Sequence, residues 1–242
     1  MAKSAVIRLK DVAVFQPEDE GGKVSYDNAQ QVLAGVNLEV GQGEMVYFIG
    51  RVGSGKSSLL KTLYAELPLL EGEGEIAGVD LRTLRRRDVH LLRRKMGIVF
   101  QDYRLLHDRN VYENLRFVMK ATGWKREEDI AERVGEVLDL VGLHNKEYKM
   151  PHELSGGEQQ RLVIARAMIN SPKIILADEP TGNLDPKAAD QIMDLFRKIV
   201  EGGCSVVMST HNIANIEQFP GRTYRFHKGK VAEVDINAVL AS

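Results

Sequence analysis

The sequence predicts an α/β fold with a parallel-sheet core, an antiparallel β portion near the N-terminus and a helical insertion in the middle. Three observations predict it. Apolar runs suited to buried parallel strands, at residues 44–49, 174–177 and 205–208, alternate with helical text at both ends of the chain. Residues 6–40 carry shorter, more alternating apolar segments broken by polar stretches. Residues 111–150 contain no strand-like run and repeat apolar residues at helical spacing, with Val134, Val137, Leu138 and Val141 on one face.

The elements follow in order. Residues 6–9 and 12–15 read as two short strands, the polar stretch 16–22 as a hairpin loop, and residues 32–40 as another strand. Residues 41–43 (Gly-Gln-Gly) form a turn, and the strand at 44–49 runs directly into a glycine-rich loop. Leu59, Leu60, Leu63 and Leu67 then set a helix over residues 57–67, and Pro186 opens a helix that runs to Val200. The sequence contains neither an internal repeat nor a low-complexity segment.

Composition narrows the functional classes. Thirty-three Lys and Arg against 34 Asp and Glu give no electrostatic reason to expect a nucleic-acid partner. The single cysteine, Cys204, sits in an apolar stretch and reads as a buried structural residue in a protein of the reducing cytosol. The N-terminus carries charges where a signal peptide needs an apolar run. No segment reaches the ~20 apolar residues that span a bilayer, so work at a membrane has to pass through a partner.

Gly50, Arg51, Val52, Gly53, Ser54, Gly55, Lys56 and Ser57 fit G-x-x-x-x-G-K-[ST], with Ser58 following, between a predicted strand and a predicted helix. Glycines there let backbone N–H groups turn inward on phosphate oxygens, and the helix directs its positive end at the same point. Lys56 can reach the β- and γ-phosphates and the Ser57 hydroxyl can ligate Mg²⁺. This motif predicts nucleotide binding without choosing between a kinase, a GTPase and a motor.

Two further motifs add chemistry. The apolar run ending in Asp178 and Glu179 would set one carboxylate to hold Mg²⁺ through its water shell and the next to polarise an attacking water. In LSGGEQQR, residues 154–161, Ser155 and Glu158 form a capping box, so a helix begins there. Gly156 and Gly157 leave its first N–H groups bare, which makes a second anion site. One chain with one phosphate loop uses such a second site if two copies pack head-to-tail, each closing the other's nucleotide.

With these residues in place the chain resembles the ATP-binding cassette (ABC) family, over nearly its whole length and in the family's order: GRVGSGKS, VFQD, LSGGEQQR, IILADEP, NLD, STHN. The resemblance implies a P-loop NTPase with a RecA-like core, ATP and Mg²⁺ as cofactors, and ATP hydrolysis. It implies one ABC ATPase domain over 1–242, with core and β subdomain at about 1–100 and 171–242 and a helical subdomain at about 101–170. It implies Gln101 as the residue sensing Mg²⁺ and water, so that Ser57, Gln101 and Asp178 form the metal set. Glu179 and His211 become the catalytic pair, with His211 contacting the γ-phosphate. Asp185 becomes the acid coupling the two sites, and Ser155, Gly156, Gly157 and Glu158 serve the partner's nucleotide. Glu158 stands where many members carry Gln. Phe15 is the expected adenine platform, with Tyr26 as its rival.

The strings around residues 99–114, together with TGNLD at 181–185, are similar to the FtsE group of that family. TGNLD is shared with the LolD and MacB groups, so lipoprotein release or efflux stays as the alternative. The FtsE resemblance implies a homodimer on the cytoplasmic face of the inner membrane, an FtsX-like integral membrane partner, and cytoplasmic division proteins around it. By the same resemblance, Tyr103, Leu105, Leu106 and Tyr112 line a groove for that partner, with core packing as the other reading. The basic run Arg82, Arg85, Arg86, Arg87, Arg93, Arg94 and Lys95 reads as a solvated helix face near the membrane rather than a lipid or nucleic-acid contact.

Overall fold

The computed structural model describes residues 4–20 and 23–236. Two long strands, β1 (Ala5–Glu20) and β2 (Lys23–Gly41), pair antiparallel, and β4 (Glu71–Ile76) and β5 (Val79–Asp80) complete a four-stranded sheet in the order β2-β1-β4-β5. The two short strands read at 6–9 and 12–15 are one strand with a bulge between them. The register shifts between Leu9 and Val12, and Asp11 takes φ +48° while its N–H and carboxylate both bond the Asn37 side chain. The polar stretch read as a loop also stays in the ladder, with Glu18 opposite Ser25 and Glu20 opposite Lys23. Backbone pairing holds it there, and apolar alternation carries no trace of that. Gly21 and Gly22, where that reading placed the end of the loop, lie outside the described residues.

The second sheet has the order β10-β9-β3-β8-β7-β6. Strands β3 (Met45–Ile49), β6 (Met96–Val99), β7 (Ile174–Asp178), β8 (Ser205–Ser209) and β9 (Arg222–His227) run parallel, and β10 (Lys230–Val234) closes the edge antiparallel. Every residue of β8 is buried, as are all of β3 but its first and all of β7 but its last. This explains their continuous apolar text, since both faces of a central parallel sheet are covered.

One face packs on the antiparallel sheet and on α1 (Lys56–Leu63), through Leu59, Leu60, Leu63, Phe48, Ile174 and Leu176. The other face packs on α5 (Gly156–Met168) and α6 (Pro186–Glu201), and the same core continues into α3 (Val111–Ala121) and α4 (Glu127–Val141). The stripe of Val134, Val137, Leu138 and Val141 is fully buried in it. Helix α1 stops four residues before the predicted end. Ala65 turns left-handed at φ +55°, and Pro68 disfavours helix at Leu67, which is buried beyond the helix instead.

Order of strands, rather than sequence, sets the site. Strands β3, β8 and β7 are neighbours, so the residues leaving their carboxyl ends (Gly50, Thr210 and Glu179) emerge side by side. Among the described residues no helix is long and apolar enough to cross a membrane.

Candidate active site

The loop after β3 has the backbone its glycines permit. Gly50, Gly53 and Gly55 adopt φ of +150°, +78° and +100°. A Cβ on Gly50 would lie 2.5 Å from the Phe226 carbonyl, and one on Gly55 2.8 Å from Leu33 Cδ2. The loop lines a pocket of about 340 Å³ with Gln16, Gln30, Gln31 and Val32 of the β1–β2 ribbon, and Ser54, Lys56, Ser57 and Ser58 face it. Val52, at the loop's crest, is 92% exposed and Arg51 is exposed beside it.

Lys56 is 5% exposed and donates to the carbonyls of Gly50 and Arg51 at 2.9 and 3.1 Å. Burial lowers its pKa, against the raising influence of Glu179 and Asp178. Ser57 Oγ donates to Asp178 Oδ1 at 3.0 Å, joining residues far apart in the chain. Among the described residues the buried Ser54 hydroxyl has no hydrogen-bond partner. A buried orphan hydroxyl, a buried ammonium and a hydroxyl–carboxylate pair form a donor set that fits a nucleotide phosphate with Mg²⁺. Among the described residues no group of three or more His, Cys, Asp or Glu could hold a metal unaided.

Glu179 is mostly buried and sits at φ +45°, an unusual conformation for a residue with a long side chain. Its N–H bonds the Ser209 carbonyl and hydroxyl at 3.2 and 3.0 Å, and that hydroxyl donates to Asp178 Oδ1. His211 Nδ1 lies 2.8 Å from Glu179 Oε2, with the imidazole largely exposed. A cavity of about 320 Å³ opens beside the pair, lined by Thr181, Gly182, Leu184, Thr210 and Asn212. Sequence reading missed Ser209, although it opens the STHN string, because nothing in one sequence marks which serine meets both acids.

Gln101 follows β6, next to β7, and its carbonyl accepts from Asn183 at 3.3 Å. Asp185 caps α6 by accepting from the Ala188 N–H at 3.0 Å. Ser155 caps α5 as the capping box requires. It accepts from the Glu158 N–H at 3.3 Å, while the Glu158 carboxylate accepts from the Ser155 N–H at 2.9 Å. An ion pair with Lys146 and these cap bonds hold the Glu158 carboxyl down at about 2. Gly156 and Gly157 face Leu184, Tyr103 and Ala188, and a Cβ on Gly157 would lie 3.3 Å from the Ala188 methyl. None of residues 155–158 lines the phosphate-loop pocket.

Phe15 and Tyr26 are both half-buried, and neither is among the residues lining the phosphate-loop pocket. Phe15 adjoins Gln16, which donates to Ser58 Oγ at 2.8 Å. Tyr26 instead lines a separate groove of about 1200 Å³ with Leu67, Leu70 and Arg93. Leu105 is core, and Tyr103 and Tyr112 pack against that core. The basic run is not one helix face. Arg85 and Arg87 pair with Asp88, Arg82 and Lys95 bond the Leu70 and Ala77 carbonyls, and Arg93 donates to Tyr64 O at 3.0 Å. Only its second half lies on a regular α-helix, α2 (Val89–Arg94). Cys204 is buried, which pushes its thiol up to about 12.

A phosphate loop, a half-buried acid pair, a histidine and a capped glycine helix end on this sheet define an ATP-binding cassette. The chain belongs to the ABC transporter family, whose model matches residues 33–182. It is similar throughout to cassettes of known structure. These include cbiO1 of Clostridium perfringens (TM-score 0.86, 25% identity, 99% of this chain and 92% of that one) and the dimeric MJ0796 cassette (0.80, 34%, 95% and 98%). Within the family it is FtsE-like. The cell division ATP-binding protein FtsE of Streptococcus pneumoniae D39 is 46% identical over 206 residues, 85% of this chain and 89% of that protein. FtsE of Escherichia coli K12 is 42% identical over 201 residues, 83% and 89% respectively.

Proposed function

We propose that this chain is the ATP-hydrolysing subunit of an FtsE-like cell-division complex, working as a head-to-tail pair beneath an FtsX-like membrane partner. ATP hydrolysis to ADP and phosphate is the activity of the family to which it belongs. One observation carries the head-to-tail reading: the Ser155 helix end stands apart from the phosphate-loop pocket of its own chain. In that reading Ser155, Gly156, Gly157 and Glu158 close the nucleotide held by the other copy, and Asp185 lies between the two sites. In the same reading the core with its β subdomain takes about residues 1–100 and 171–242, and the helical subdomain about residues 101–170.

Ser57, Asp178 and Gln101 are the residues that would hold Mg²⁺, and the cation would neutralise phosphate charge. Lys56 and the loop N–H groups bind phosphate oxygens, and Ser54 satisfies its hydroxyl on one of them. Glu179 accepts the proton of the attacking water, and His211 orients the carboxylate through the 2.8 Å contact. Phe15, beside Gln16, is the adenine platform. Association with the cytoplasmic face of the membrane comes through the partner.

Glu179→Gln tests the assignment. It keeps size and hydrogen bonding while removing the base, so it should bind ATP, accumulate as an ATP-bound dimer on gel filtration and turn over at least ~100-fold more slowly. Turnover at the parental rate would remove Glu179 from its role.

A further inference from the structure

The segment after Gln101 holds an unfavourable backbone. Tyr103 and Arg104 both sit in the left-handed region, at φ +56° and +50°. Two consecutive side-chain-bearing residues do not stay there without restraint. The restraint comes from 62 and 63 residues further along the chain. Arg166, near the end of α5, donates from Nη2 to the Tyr103 carbonyl at 2.7 Å and from Nη1 to the Arg104 carbonyl. One planar fork therefore grips two successive carbonyls, which an ammonium on a lysine stem cannot reproduce.

The same segment meets α5 at its other end. A Cβ on Gly156 would lie 3.6 Å from the Tyr103 hydroxyl, so the tyrosine reaches from the Arg166 clamp to the first turn behind Ser155. Among the described residues Arg166 makes no ion pair; burial lowers its pKa to about 10 and the Arg104 charge adds to this, with Asp102 opposing. A desolvated cation spent on two carbonyls indicates that backbone geometry is what it secures.

We propose that Arg166 is a positioning residue, which holds Tyr103 and Arg104 in the left-handed conformation and so fixes Gln101 in register with the helix that begins at Ser155. It acts two residues from Gln101 and touches no substrate. The proposal rests on Gln101 serving the metal and water, and the experiment separates the two.

In the full-length chain, ATPase kcat and the Mg²⁺ concentration for half-maximal rate are measured for Arg166→Lys, alone and combined with Arg104→Gly or Arg104→Ala, beside Gln101→Ala. Thermal midpoints are read in parallel. Misplacing a catalytic group by a fraction of an ångström predicts that Arg166→Lys lowers kcat about 10-fold and raises the Mg²⁺ requirement severalfold. Glycine takes positive φ without help, so Arg104→Gly should recover most of that loss, whereas Arg104→Ala, which removes the same side chain, should not. Parental kcat and Mg²⁺ dependence in Arg166→Lys would overturn the proposal while Gln101→Ala still shifts both. So would equal behaviour of the glycine and alanine double variants, or a loss that only follows the thermal midpoint. If Gln101→Ala leaves the Mg²⁺ dependence unchanged, the Gln101 assignment itself falls and Arg166 has nothing to position.

Discussion

Ser209 shows how much can depend on one hydroxyl. It accepts from the Glu179 N–H and donates to Asp178, so it sets the spacing between the two acids. Ser209→Ala should cost about 1.5–3 kcal/mol in urea denaturation, the range for a hydrogen bond to a charged group. The larger effect should be on kcat, and Ser209→Thr should restore part of it. At Gly55 the constraint is steric. Alanine there would meet Leu33 at 2.8 Å and carry φ +100°, so Gly55→Ala should abolish ATP binding in an equilibrium assay while Gly53→Ala, with open space around it, should only weaken it. Lys56, Ser57, Asp178 and Glu179 stood out in the sequence through the motifs that hold them, and His211 through the family resemblance alone. Ser209 and Arg166 did not, because their partners are about 30 and 60 residues distant.

Helix α5 carries the end proposed to close the other copy's nucleotide, and its start is held by a reciprocal cap. Removing the acid in Glu158→Ala should cost about 1 kcal/mol, while Glu158→Gln, which keeps an acceptor for the Ser155 N–H, should cost less. The pH dependence follows from the depressed carboxyl. Its folded pKa of about 2 lies below the usual value, so the stabilisation is complete above about pH 4.5 and fades as pH falls toward 2. A thermal midpoint less sensitive to acid in Glu158→Gln than in the parent would bear this out. Elements of this kind read well from sequence: a capping box, a valine stripe on α4 and buried strands each impose a local pattern. The β1–β2 ribbon read poorly beyond Phe15, because a polar strand paired only through its backbone has no side-chain period to betray it. The early end of α1 was signalled by Pro68 and overruled in the reading by Leu67, whose burial comes from tertiary packing.

At the scale of the molecule, the proposed head-to-tail pair makes each site need half of another copy. Mixing Lys56→Ala chains with Ser155→Arg chains should therefore restore activity that neither has alone. In the mixed pair one site keeps its own Lys56 and receives an intact Ser155, so at equal ratios recovery should approach about a quarter of the parental rate. No recovery at any ratio, with both chains folded, would mean that the sites are complete within one chain. The lone thiol has a bearing on how such pairs are observed. Buried and with its pKa pushed up to about 12, Cys204 should be silent to maleimides and to mild oxidants. The native chain is thus a ready blank for labelling: a reporter introduced as Val52→Cys, at the fully open crest of the loop, would be the only reactive sulfur in view and would light up or fade as the second copy closes over it.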